Sequence, residues 1–445
     1  MKASAHLFLV VWLLFSGFCV ARTITVDDDG PADFPTIQAA IDDANDGDTV
    51  LVSPGVYDAI DFKGKNIVVT STDPADPAIV AETIILGQDS SVVTFSGTES
   101  AQCVLSGFKI TDGAGTGSWG RVGGGILGNG TQASIKYNQI VDNIASGMGF
   151  PRGSQGGGLD DCDGLIEHNL IAGNGVVGNV GGAWGGGLSG CDGVIQYNVI
   201  TGNCCADPAP FGSVVFGAGL AYCEGLIQYN VISNNSCSNY VGPTLLGDGG
   251  GLAYCEGVIR NNVIFGNAAR NGPGIYNCNG PIENCIIWKN GPGEPEQIDP
   301  ASGADVSYCN VQGGYAGTGN IDIEPYFVRE HIWFFLWPPI NVDFGDYHLQ
   351  SQAGRWDVDP GLWVADANTS PCIDAGNPAG PVGNEPFPNG GVVNMGAYGS
   401  TAQASKSYFG QDLCDTIVAG DINGDCVVDF RDMAFIALHW LVDNR

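Results

Sequence analysis

From Ile126 onward the chain breaks into apolar runs of three to five residues, each bounded by glycine and asparagine, and the runs repeat. Aligned on the residue after a Gly-rich triplet, the copies start at Ile126, Leu159, Leu188, Leu220, Leu252 and Ile275, spaced by 33, 29, 32, 32 and 23 residues. One isoleucine column holds Ile135, Ile166, Ile195, Ile227, Ile259 and Ile282, and a second holds Ile140, Ile171, Ile200, Ile232, Ile264 and Ile287. One asparagine column holds Asn138, Asn169, Asn198, Asn230 and Asn262, with Cys285 in the sixth copy. The other runs Asn143, Asn174, Asn203, Asn235, Asn267 and Asn290.

Runs this short cannot bury a face alone, but stacked copies can. At the ~4.8 Å strand spacing each isoleucine packs on its equivalents above and below, and each backbone group pairs with the next rung. Asparagine and glycine suit the corners, where asparagine tolerates a left-handed turn and stacked amides hydrogen-bond along the stack. Crossovers between parallel strands are overwhelmingly right-handed. The pattern therefore predicts an all-β chain, a right-handed parallel β-helix from about Thr23 to Val311. Ahead of the repeats, Ile37, Ala40, Ile41 and Ala44 stand at helical spacing and are followed by strand-like TVLVSPGVY, which predicts a helix capping the open core.

The phrase PTIQAAIDDANDGDTVLVSPGVY (residues 35–57) resembles the openings of the pectate-lyase-like β-helix superfamily. That resemblance implies the fold over roughly residues 24–315 and leaves activity open, because the superfamily includes glycan-cleaving enzymes, adhesins and structural proteins. The stretches DYHLQS (346–351), TSPCIDAGNP (369–378) and NGGVVNMGAYGS (389–400) resemble the C-terminal regions of secreted β-helix proteins and imply a terminal cap over residues 316–405.

Charge narrows the partners. With 48 Asp plus Glu against 16 Lys plus Arg, the net charge is -32, which repels nucleic acid and anionic membrane and favours cations or neutral polymers. Residues 1–21 read as a secretory signal peptide, with Lys2, an apolar core from Leu7 to about Phe18, and Ala21 before Arg22; a membrane anchor is the alternative, but the run is shorter than a span needs. No transmembrane span is expected in the mature chain, and disulfides are chemically allowed after export.

Candidate chemistry lies in columns. Lys136, Glu167, Gln196, Gln228, Arg260 and Glu283 share one, read as a solvated ridge with opposite charges paired across rungs. His168 shares another with Tyr137, Tyr197 and Tyr229, which favours a stacked ring over a catalytic base. Asp163, Asp192, Glu224 and Glu256 recur before glycines, with Asn279 next; they form either a second Ca²⁺ site or an exposed turn screened by salt. Before them stand Cys162, Cys191, Cys223, Cys255 and Cys278, read as a buried thiol ladder in preference to adjacent-rung disulfides; a disulfide is more favoured between Cys204 or Cys205 and Cys237.

The insertions fall on one edge and bring Phe150, Arg152, Trp184, Phe211, Phe216 and Tyr240 together. Trp184, Tyr240, Phe211 and Arg152 are the candidate polysaccharide-binding residues, since aromatic faces beside polar loops suit sugar rings; packing of the loops' own small clusters is the alternative. No catalytic set stands out. A polysaccharide lyase needs a base beside a uronate, and the motifs of the pectin-esterase branch are not visible.

The tail carries the sharpest motif. In DINGDCVVDFRD (421–432), Asp421, Asn423, Asp425, Asp429 and Asp432 offer side-chain oxygens and Val427 its carbonyl at the spacing of an EF-hand-type Ca²⁺ loop. With the helical run that follows, residues 406–445 resemble half of a dockerin, which implies a small α-helical calcium-loop module that docks to a cohesin-like or cell-surface protein. Cys426 replaces the turn glycine and only one loop is present. The chain thus divides into a signal peptide (1–21), β-helix with N-terminal cap (22–315), C-terminal cap (316–405) and tail (406–445). Two functions stay open: a secreted β-helix that binds, and in one version cleaves, extracellular polysaccharide, or a non-catalytic adhesion or structural protein.

Overall fold

The computed structural model describes residues 21–118, 120–147, 153–178, 181–206, 214–238, 247–291, 296–299, 303–332 and 344–407, with residues 428, 430 and 433. Short strands stack into three long parallel sheets. One of eleven strands runs from Thr23–Val26 to Val306–Ser307, one of ten from Gly55–Asp58 to Asn310–Val311, and one of eight from Ile60–Asp61 to Ile275–Tyr276. The chain visits the three sheets in turn along the central rungs, so the molecule is a parallel β-helix. Its register follows the repeat: Ile166 pairs with Ile135 and Ile195, and Ile171 with Ile140 and Ile200. All twelve column isoleucines are fully buried.

The asparagines differ from expectation in one respect. The left-handed residue at each bend is the one before the asparagine, with φ of 56° at Tyr137, 55° at His168, 56° at Tyr197 and 57° at Tyr229. The asparagine itself turns inward and is buried. Its amide then satisfies groups that the bend strips of partners: Asn230 Nδ2 donates to Ile195 O at 2.8 Å, Gln228 O at 2.9 Å and Asn262 Oδ1 at 3.1 Å. Its Oδ1 accepts from Asn198 N at 3.0 Å and Asn198 Nδ2 at 3.1 Å. The second ladder ends on Gln297, whose Oε1 accepts from the backbone N and Nδ2 of Asn290.

Cysteine does related work at the third corner. Cys162, Cys191, Cys223, Cys255 and Cys278 are buried thiols, and each Sγ donates to the carbonyl two residues earlier at 3.4–3.5 Å. Burial pushes the Cys278 thiol well up, which keeps it neutral. The disulfide expected near Cys237 is not formed: Cys205 and Cys237 are strand partners with buried free thiols. They belong to a small second core, with Ala145, Val176, Ala183 and Val215, under strands that widen the edge where the insertions leave. These strands include Ser154–Gln155, Ala183–Trp184 and Val215–Phe216.

Helix Ile37–Asp43, capped by Thr36 Oγ1 accepting from Ala39 N, buries Ile37, Ala40 and Ile41 on the N-terminal rungs. A second helix, Pro77–Glu82, interrupts an early rung; Asp76 caps it and Pro77 fits its first turn. The stretch read as a terminal cap packs on the flank, where Phe327, Tyr347, Leu349, Ile373 and Met395 cover outward-facing Val231, Val263, Phe265, Ile286 and Trp288 of the ten-stranded sheet. No helix among the described residues is long and apolar enough to cross a membrane.

Candidate functional site

The polar ridge is aligned in register, Lys136 against Glu167 and Arg260 against Glu283, but among the described residues neither couple forms an ion pair. Amides take the charges instead. Gln196 Nε2 donates to Glu167 Oε2, Gln228 Nε2 to Gln196 Oε1 and Arg260 Nε to Gln228 Oε1, at 2.8–2.9 Å. A glutamine spans one rung and both donates and accepts, so a relay replaces the expected charge pairs. Beside it, the rings of Tyr137, His168, Tyr197 and Tyr229 stack with centroids 5.0–5.1 Å apart. Both faces of His168 are covered, and burial lowers its pKa. It is a rung of a ladder.

The acid column also has a structural use. Asp163 Oδ1 accepts from Asp192 N at 3.0 Å, and Asp192 Oδ1 from Glu224 N at 2.8 Å. Glu256 Oε1 accepts from Asn279 Nδ2 at 2.9 Å. Among the described residues one triplet of acids brings its carboxylate oxygens within 4.8 Å of one another, and it is Asp27, Asp28 and Asp29 rather than this column.

Chemistry concentrates two residues ahead of that column, on the face of the eight-stranded sheet beside the insertion edge. A cleft of about 480 Å³ is lined by Gln155, Asp160, Asp161, Trp184, Ser189, Gly190 and Tyr222. That volume lies within the ~300–1,000 Å³ of small-ligand sites. Its members come from three successive rungs. Strand Leu159–Cys162 supplies Asp160 and Asp161, and register places Asp160 against Ser189 and Ser189 against Ala221, so Asp161, Gly190 and Tyr222 follow one another up the corner. All three hold the left-handed bend, at φ 56°, 58° and 54°.

The aromatic wall is continuous. Trp184 pairs with Phe216 and stacks on it at 6.1 Å. Phe216 meets the edges of Tyr222 and Tyr254, and these two tyrosines stack at 5.2 Å, 12° from parallel. The indole N–H of Trp184 is donated to Gln155 Oε1, which fixes the ring at the cleft mouth.

The carboxyls differ in character. Asp160 is only 4% exposed, and burial holds its carboxyl well above the ordinary range, with Asp161 adding to the shift against hydrogen bonds from Gln155 and Ser189. Asp161 is exposed, and its pKa is raised more modestly, by partial desolvation first and then by Asp163 and Asp192. A neutral carboxyl donates a hydrogen bond or a proton, while its neighbour accepts. Among the described residues, no Lys, Arg or His lines the cleft.

Of the sequence-predicted binding residues, Trp184 is in this cleft, while Arg152, Phe211 and Tyr240 lie outside the described residues. So do the calcium-loop residues Asp421, Asn423, Asp425, Val427, Asp429 and Asp432. Sequence reasoning missed Asp160, Asp161, Gln155 and Tyr222. The available signal was LDDC, where alternation puts Asp160 at a position filled by small or apolar residues in the other copies, from Leu127 to Ala221 and Ala253. No protein-family model and no curated protein matches the chain.

Proposed function

We propose that this chain is an exported β-helix that binds extracellular polysaccharide in the cleft between Asp161 and Tyr222. The observation that carries the reading is one side of that cleft built of Trp184 and Tyr222 and another of two carboxyls. Sugar rings need both, an apolar face to stack on and polar groups for the hydroxyls at the rim. A rigid solenoid suits a long polymer, because the aromatic strip continues along the rungs through Tyr254 to Tyr276. The tail, residues 406–445, is assigned on its sequence to Ca²⁺-dependent attachment to a cohesin-like or cell-surface partner.

The test is a glycan array probed with the wild type and with Trp184→Ala/Tyr222→Ala. Binding that the double variant loses supports the reading; equal binding by both removes it. A second reading, hydrolysis in the same cleft, is favoured by one observation: buried Asp160, its carboxyl shifted well above the ordinary range, stands beside exposed Asp161. Release of reducing ends that Asp160→Ala abolishes supports it, and intact glycan after prolonged incubation leaves a non-catalytic binder.

A further inference from the structure

At the corner that carries Asp161, Gly190, Tyr222 and Tyr254, two stacked rings stand directly above a rung that has no side chain. Tyr222 and Tyr254 stack at 5.2 Å, close to the 5.0–5.1 Å of the uninterrupted ladder of Tyr137, His168, Tyr197 and Tyr229 at the other corner. One rung beneath Tyr222 the backbone keeps the same left-handed conformation, φ 58° against 54°, but the residue is Gly190. Tyrosine adopts that conformation at the next two rungs, so the bend itself does not demand glycine there. Space does not demand it either, because a Cβ built on Gly190 meets no atom within 4 Å. The glycine leaves a slot open. Its ceiling is Tyr222, its floor Asp161, and its sides are Trp184, Ser189, Asp160 and Gln155.

Resting on the glycan-binding reading above, we propose that the slot over Gly190 receives one pyranose ring of a neutral polysaccharide, which fills the space beneath Tyr222 that the glycine's missing side chain leaves. Floor and ceiling are two rungs apart, about 9.6 Å at the ~4.8 Å strand spacing, so a ring at mid-height lies about 4.8 Å from each. That leaves room for a pyranose chair to lay its C–H face on the aromatic ring. One face of the sugar meets the phenol ring of Tyr222, and hydroxyls at its rim reach the carboxyls of Asp160 and Asp161. The surroundings select against a uronate. Asp161 stands at the floor, Asp163 and Asp192 lie beside it on the same two rungs, and the chain carries a net charge of -32. A sugar carboxylate would be placed against like charge with no cation lining the cleft among the described residues.

The experiment titrates full-length protein with neutral hexasaccharides (cellohexaose, laminarihexaose, mannohexaose) and with hexagalacturonate, in the wild type, Gly190→Tyr, Tyr222→Ala and Trp184→Ala. Gly190→Tyr extends the Tyr222–Tyr254 stack by one ring at the cost of a left-handed φ, so it is expected to fold with a modestly lower melting temperature and to lose at least tenfold in affinity for the neutral ligand. Tyr222→Ala covers the case in which Gly190→Tyr does not fold, and it is expected to lose affinity likewise. Hexagalacturonate is expected to bind at least tenfold more weakly than the best neutral ligand. If Trp184→Ala loses binding while folded Gly190→Tyr or Tyr222→Ala binds as the wild type does, the slot is overturned and the cleft reading stands. If every variant binds as the wild type does, or no hexasaccharide binds, both fall. Equal or tighter binding of hexagalacturonate overturns the neutral-sugar assignment.

Discussion

Asn198 donates its Nδ2 to Oδ1 of Asn230, 3.1 Å away on the next rung, and its backbone N–H to the same oxygen at 3.0 Å. Each buried asparagine thereby closes the bend below it and is closed by the one above. Removing one amide orphans several groups at once. In Asn230→Leu, which keeps the volume, the carbonyls of Ile195 and Gln228 and the amide groups of Asn198 lose partners. At ~1–3 kcal/mol per unsatisfied buried group, the expected loss is about 3 kcal/mol or more, read by urea denaturation. An unchanged midpoint would show that the ladder contributes little.

Glu385 sets a pH dependence in the flanking region. It is buried, Oε1 accepts from Asn394 N and Ser400 N, and Oε2 has no partner among the described residues. Desolvation raises its pKa from 4.5 to about 7. The folded state thus holds this proton more tightly than the unfolded chain. Its contribution is fully present below pH 4.5 and is lost as pH rises to about 7. Glu385→Gln retains the acceptor and removes the titration, so the variant should melt higher than the wild type at pH 8 and lose this fall between pH 4.5 and 7. Parallel melting curves across that range would refute the assignment.

Asp160 follows the same sign inside the cleft. Because burial shifts its carboxyl well above the ordinary range and so favours the neutral form, Asp160→Asn is expected to retain most of the stability at neutral pH. Asp160→Lys places an unpaired cation in the same buried position and is expected to destabilise by several kcal/mol. Thermal melts of the pair check this, and the assignment fails if the asparagine variant is the less stable of the two.

The tail prediction rests on sequence. Calorimetric titration of the full-length protein with Ca²⁺ should show a site that Asp421→Ala with Asp432→Ala removes. Retention of the heat signal by the double variant would put the ion elsewhere, and no binding at millimolar Ca²⁺ would end the dockerin-like reading.

The period of the repeat made the solenoid legible, because a column of Ile135, Ile166 and Ile195 admits few other packings. Helix Ile37–Asp43 was equally readable from its spacing. What stayed hidden depends on which way a residue turns at a bend. Tyr229 and Asn230 are adjacent letters, yet one bends the chain and the other plugs its interior, and the alphabet alone favours asparagine for the left-handed position. The ridge misled for a similar reason. Opposite charges at Arg260 and Glu283 invite a pair, while Gln228 and Asn377 offer neutral partners that each charge takes instead. The cleft was half legible. Trp184 stood out as an aromatic in an insertion, but Gly190 reads as one more glycine until the rings above it are seen.

The most direct test of the account is a crystal structure of the protein soaked with the neutral oligosaccharide that binds best. A pyranose ring stacked beneath Tyr222, over Gly190 and within hydrogen-bonding distance of Asp160 or Asp161, is the predicted result. An oligosaccharide bound away from this cleft, or an empty cleft at a concentration that saturates the protein in solution, would contradict it.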